Sequence, residues 1–174
     1  MENIKHSDRK NLINNRIQKS LTSVFKPVFP TSTNHYDTMF GGTALFLMDE
    51  VAFITATRFS RKPMVTVSSS KIDFKKPIPH GTIVELKGEV CYVGNTSLKV
   101  KVEIFIEQMY SDDRTKAIEG EFSFVALDKN NISVMALNVT SWKSKVCLHE
   151  SLKFIFPMCY QRKMDCREYR EAQQ

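Results

Sequence analysis

No apolar run in this chain reaches the roughly 18 residues that a membrane-crossing helix needs, so a transmembrane role is excluded. Met1 to Ser20 is polar and lacks the apolar segment of a secretion signal, which makes the cytoplasm the expected location. Cysteine is scarce: Cys91 stands alone, and Cys147, Cys159 and Cys166 fall in the C-terminal region, too scattered for a disulfide framework. Adding His149 to those three gives a spacing that matches no zinc pattern, so free thiols, no metal and no cofactor are expected. The centre of the chain also lacks an excess of either charge. Of 25 Lys/Arg and 19 Asp/Glu, residues 1–20 hold five and two and residues 143–174 hold seven and four, leaving 13 of each for residues 21–142. Nucleic-acid binders concentrate basic charge on the folded domain. Here only the ends are basic, which reads as solvated tails and argues against nucleic acid as a partner.

What is present is enough apolar residue for one ordinary globular domain, at 42% hydrophobic and 25% charged. The most informative stretch is the polar loop Asn34-His35-Tyr36-Asp37-Thr38-Met39, which runs through Phe40-Gly41-Gly42 into a nearly unbroken apolar helix carrying Asp49 and Glu50. A carboxylate on an apolar helix is costly unless it is used, because desolvating an unpaired one costs about several kcal/mol. Glycines at a helix start leave backbone N–H groups open to a developing negative charge. A base or nucleophile beside oxyanion donors is the minimum equipment for acyl hydrolysis.

Periodicity predicts the rest. A short strand covers Leu21 to Phe29, ended by Pro30, and the helix runs from Gly42 to Phe59, roughly 27 Å long, apolar on nearly every side and so expected to be enclosed. Beyond Pro63 the period changes to two: Met64 to Phe74, Thr82 to Val93 with Val84, Leu86, Val90 and Tyr92 on one face, Leu98 to Glu107, and Thr115 to Leu127. Gly94-Asn95 signals a hairpin. Antiparallel strands cover one helix only by curling around it, so the fold class is α+β. The domains expected are a polar extension over 1–20, the core domain over 21–128, and a basic tail over 129–174 containing Trp142, Pro157 and the apolar patch Phe154-Ile155-Phe156.

Asn34, Phe40-Gly41-Gly42, Met48-Asp49, Val65-Thr66-Val67, Phe74 and Pro77, Gly81, and Gly94 with Thr96-Ser97 occur together in this order. Over residues 20–128 the chain resembles the hot-dog-fold acyl-CoA thioesterases, of the bacterial short-chain-acyl and brain acyl-CoA hydrolase types. The resemblance implies a curved antiparallel sheet around a central helix, an acyl-CoA substrate, and a homo-oligomer built of dimers, with hexamers common. It implies Asp49 as the catalytic carboxylate, as general base or nucleophile, and Asn34 acting from the neighbouring subunit's loop. Gly41 and Gly42 fit the oxyanion role. Members usually have glycine where Asp37 stands, so a different loop path is expected there.

Each residue has a plainer reading beside the functional one. Asp49 can be a buried, hydrogen-bonded carboxylate, Asn34 a turn residue bonding its own backbone, and the glycines a helix start. Glu50 lies about 100° further round the helix and reads as an ion-pair or interface residue. Thr66 and Ser68 to Ser70 line an acyl channel or satisfy one another in the sheet. Gly94, Thr96 and Ser97 hold pantetheine or simply make a hairpin. Lys75, Lys76 and Arg58 are candidates for the CoA phosphates or solvated surface. His35 and His80 are read as non-catalytic. Phe46, Phe53 and Phe105 close the channel or belong to the core. Two rival functions stand beside hydrolysis: a non-catalytic acyl-CoA-binding protein, disfavoured by the presence of Asp49, and an acyl-thioester dehydratase, whose histidine signature is missing.

Overall fold

The computed structural model describes residues 6–137; the expectations for Trp142, Cys147, His149, Phe154 to Phe156, Pro157, Cys159 and Cys166 fall outside them. The order is α1 (His6–Ser20), β1 (Thr22–Pro27), a 3-10 turn (Pro30–Ser32), α2 (Gly41–Ser60), β2 (Met64–Ser69), β3 (Asp73–Phe74), β4 (Thr82–Val93), β5 (Ser97–Gln108) and β6 (Arg114–Ala126). The strands form one antiparallel sheet in the order β1-β4-β5-β6-β2, with β3 also paired to β6. The α+β architecture, with a sheet wrapped on one long helix, is as the strand periods predict.

The buried face follows the alternation. Val84, Leu86 and Val90 on β4, Leu98, Val100, Val102, Ile104 and Ile106 on β5, and Phe122, Phe124 and Ala126 on β6 are buried. They meet Met48, Val51, Ala52, Ala56 and Phe59 of α2 in one core. Burying each large side chain of this kind contributes about 1.5–3 kcal/mol. The helix can lie this close only because β4 presents a glycine beneath it: a β-carbon at Gly88 would stand 2.4 Å from Thr55 Oγ1 and 3.0 Å from Val51 Cγ1. The outer face pairs the neutral charge found in the composition. Lys99–Glu121 (2.8 Å), Lys101–Glu103 (2.8 Å), Lys116–Glu103 (2.6 Å) and Lys116–Glu119 (2.9 Å) form a lattice across β5 and β6.

Several expectations are corrected. Residues 6–20 are a helix rather than a solvated tail: Ile13 and Ile17 pack against the core, and Arg16 donates to the Phe59 carbonyl at 3.0 Å. The strand expected over 64–74 breaks in two because Ser68-Ser69-Ser70-Lys71 offers nothing apolar to bury, and all four are exposed. Tyr92 leaves the buried face because a bulge between Val90 and Tyr92 shifts the register by one residue. Phe105 lies on the outer face, its ring centroid 3.8 Å from the Arg114 guanidinium carbon, so it is neither core nor channel end. The helix α2 is buried on one side only, leaving Phe46 67% and Phe53 45% exposed. The chain beyond 128 still belongs to the fold: a turn at Asp128–Asn131 returns it so that Ala136 and Leu137 are buried.

Candidate active site

The loop before α2 is organised by Asn34. Its side-chain carbonyl accepts from the backbone N–H groups of Tyr36 (2.9 Å) and Thr38 (3.3 Å) and from the Thr38 hydroxyl (3.2 Å). The plainer reading of Asn34, a turn residue, therefore describes its oxygen. Its amide N–H2 finds no acceptor among the described residues and is the group it has to offer. Asp37 takes φ +57°, the left-handed conformation that glycine favours and aspartate tolerates. The altered path expected from the loss of glycine is not required.

Phe40, extended at φ −63° and ψ 131°, leads into α2 without a side-chain cap, and no acidic residue occupies the first turn. The first helical bond runs from the Ala44 N–H to the Phe40 carbonyl at 3.1 Å. Helix geometry leaves the N–H groups of Gly41, Gly42 and Thr43 without intrahelical acceptors, at the positive end of the helix dipole. Two turns further on sits Asp49, half-buried. The Thr66 hydroxyl of β2 donates to its Oδ1 at 3.1 Å. This contact, absent from the sequence reading, fixes one carboxylate oxygen and leaves the other available. It gives the Thr66 hydroxyl a partner on α2, where the sequence reading offered a channel wall or partners within the sheet. No period within one segment could reveal it, because β2 reaches α2 only in the folded sheet.

The remaining candidates are not drawn to Asp49 by any hydrogen bond or ion pair. Arg58 donates to the carbonyls of Leu21 (2.7 Å) and Lys19 (3.0 Å) and to the Thr22 hydroxyl (3.0 Å). It thus caps the end of α1, and these guanidinium donors are already engaged. Lys75 pairs with Glu119, so its charge is already engaged, whereas Lys76 is exposed. Gly94, Thr96 and Ser97 make the β4–β5 hairpin, closed by the Gly94 N–H on the Ser97 carbonyl at 2.8 Å. Glu50 is exposed and makes no ion pair among the described residues. His35 stacks beside Tyr36, ring centroids 3.9 Å apart, and His80 is exposed. Ser68, Ser69 and Ser70 are exposed rather than lining an enclosed channel. Among the described residues no helix is long and apolar enough to cross a membrane.

The sequence and the fold resemble those of known proteins. The thioesterase superfamily matches residues 36–111. The uncharacterized acyl-CoA thioester hydrolase YkhA of Bacillus subtilis is 35% identical over 125 residues, 71% of this chain and 73% of that protein. An acyl-CoA hydrolase of Staphylococcus aureus, solved with butyryl coenzyme A and coenzyme A, superimposes with a TM-score of 0.68 at 32% identity, covering 90% of each chain. A hexameric broad-specificity acyl-coenzyme A thioesterase gives a TM-score of 0.63 at 29% identity, covering 67% of this chain and 86% of that one. The S. aureus hydrolase has also been solved with an asparagine, an aspartate and a threonine each replaced by alanine, at positions 15 and 17 residues apart in that order. By sequence and by fold, the chain belongs to the hot-dog-fold acyl-CoA thioester hydrolases of the thioesterase superfamily.

Proposed function

We propose that the protein hydrolyses an acyl-CoA thioester to the free acid and coenzyme A, with Asp49 as general base. The observation that carries this is a half-buried carboxylate, held by a hydroxyl at 3.1 Å, on the same helix as three open N–H donors. The relatives add support: Asn34, Asp49 and Thr66 stand at the same 15- and 17-residue intervals as the three substituted residues of the S. aureus enzyme.

A carboxylate with one oxygen held by a hydroxyl and the other open can accept a proton from an attacking water. Asp49 takes the proton of the water, the Gly41 and Gly42 N–H groups receive the oxyanion, and the thiolate of CoA leaves. Asn34, supplied by a second copy of the chain, donates its free amide N–H2 to the thioester or the water. The working form is a dimer, or dimers gathered into a hexamer, in the cytoplasm. Assays of CoA release from a panel of esters, acetyl- to stearoyl-CoA, test the reading. Wild type turns over at least one of them, and Asp49→Ala loses about a hundredfold or more in kcat/KM. Equal rates in the two proteins contradict it; binding without turnover on every ester favours the acyl-CoA-binding alternative.

A further inference from the structure

Two aromatic rings border the helix start from different sides. A β-carbon at Gly41 would lie 3.8 Å from Cε1 and Cζ of Phe74, and one at Gly42 would lie 2.7 Å from Cε1 of Phe40. Consecutive helical residues point about 100° apart, so the rings occupy adjacent sides of the same backbone N–H groups. Both rings are largely open, Phe74 at 54% and Phe40 at 60% exposure. A single exposed aromatic needs no explanation, but Phe74 is not loosely held. It lies on the two-residue β3, paired with Ile118 of β6. The next two N–H groups, of Lys75 and Lys76, both bond the Ala117 carbonyl at 2.7 and 3.2 Å, and Lys75 is tied to Glu119. The sheet gives up its continuity at Ser70 and resumes for two residues, and the ring is delivered there against Gly41.

Open N–H donors between apolar rings suit one kind of group: a polar oxygen flanked by carbon on both sides. A phosphate or free carboxylate would gain nothing from the rings. A thioester carbonyl carries the acyl α-carbon on one side and the sulfur and methylene of the thiol on the other. We propose that Phe74, with Phe40, forms the wall against which the first acyl carbons lie, and that it selects unbranched over α-branched acyl groups. The proposal rests on the hydrolase reading above. Backbone pairing fixes where the ring is rooted, so a methyl branch beside the carbonyl meets the ring, whereas a straight chain passes it.

The test compares kcat/KM for butyryl-CoA and isobutyryl-CoA, which differ only in the branch. Wild type favours butyryl-CoA. Phe74→Ala raises the isobutyryl-to-butyryl ratio by about tenfold or more, within the range one methyl group commands in an apolar pocket. Phe25→Ala, which removes an equally exposed ring from β1 at the opposite sheet edge, leaves the ratio at the wild-type value. Phe74→Leu removes the flat ring but keeps apolar bulk, and it moves the ratio in the same direction if the alanine variant does not fold. Turnover of both esters with the ratio unchanged in both Phe74 variants overturns the proposal alone. No CoA release by wild type from either ester overturns the hydrolase reading and this proposal with it.

Discussion

A carboxylate with one oxygen bonded and one open has its orientation set before substrate arrives. In the proposed mechanism Thr66 holds Asp49 in this way. A hydrogen bond to a charged group is worth about 1.5–3 kcal/mol, so Thr66→Val lowers kcat by about ten- to a hundredfold with little change in KM, and Thr66→Ser recovers most of the loss. Steady-state kinetics on the three proteins check it; a change confined to KM would return Thr66 to the channel wall. A carboxylate and a glycine pair are conspicuous on an apolar helix, which is why the sequence singles out Asp49, Gly41 and Gly42 as candidates. Thr66 was visible only as a polar residue in a strand, and its partner 17 residues away on another element leaves no periodic trace. The bonds of Arg58 to two backbone carbonyls and the Thr22 hydroxyl likewise leave no periodic trace.

At the scale of elements, the strands follow their two-residue period closely, while bulges and α1 do not. The bulge after Val90 moves Tyr92 outward by adding one residue, a change the alternation cannot announce. The helix α1 is polar enough to resemble a tail, and it joins the core through Ile13 and Ile17 and through the Arg16 bond to the Phe59 carbonyl. The short β3 depends on charge. Hydrogen bonds from Lys75 and then Lys116 lower Glu119 from the ordinary 4.5 to about 2. A carboxylate depressed in the fold stabilises it above the unfolded value and loses that contribution as pH falls through the folded value. Wild type is therefore expected to lose thermal stability as pH falls from about 4.5 to about 2, and Glu119→Gln to lose less across the same interval. Melting curves at stepped pH decide this; parallel Tm profiles would show that the pair contributes nothing.

For the whole molecule, the exposed side of α2 is the feature a single chain leaves unexplained. The sequence predicted enclosure from apolar residues all round the helix, yet Phe46 and Phe53 face outward. An apolar face left open on one copy is one that a second copy can bury. The assembly proposed above brings the Asn34 amide of one protomer to the Asp49 of the other. Co-expression of differently tagged Asp49→Ala and Asn34→Ala chains, followed by purification through both tags and an assay of CoA release, tests this most directly. Each variant alone is nearly inactive. A mixed dimer rebuilds one intact site of its two, because a two-fold interface exchanges loops reciprocally, and so recovers about half of wild-type activity per dimer. Activity no greater than that of the two variants alone would contradict a site shared between Asp49 and a partner's Asn34.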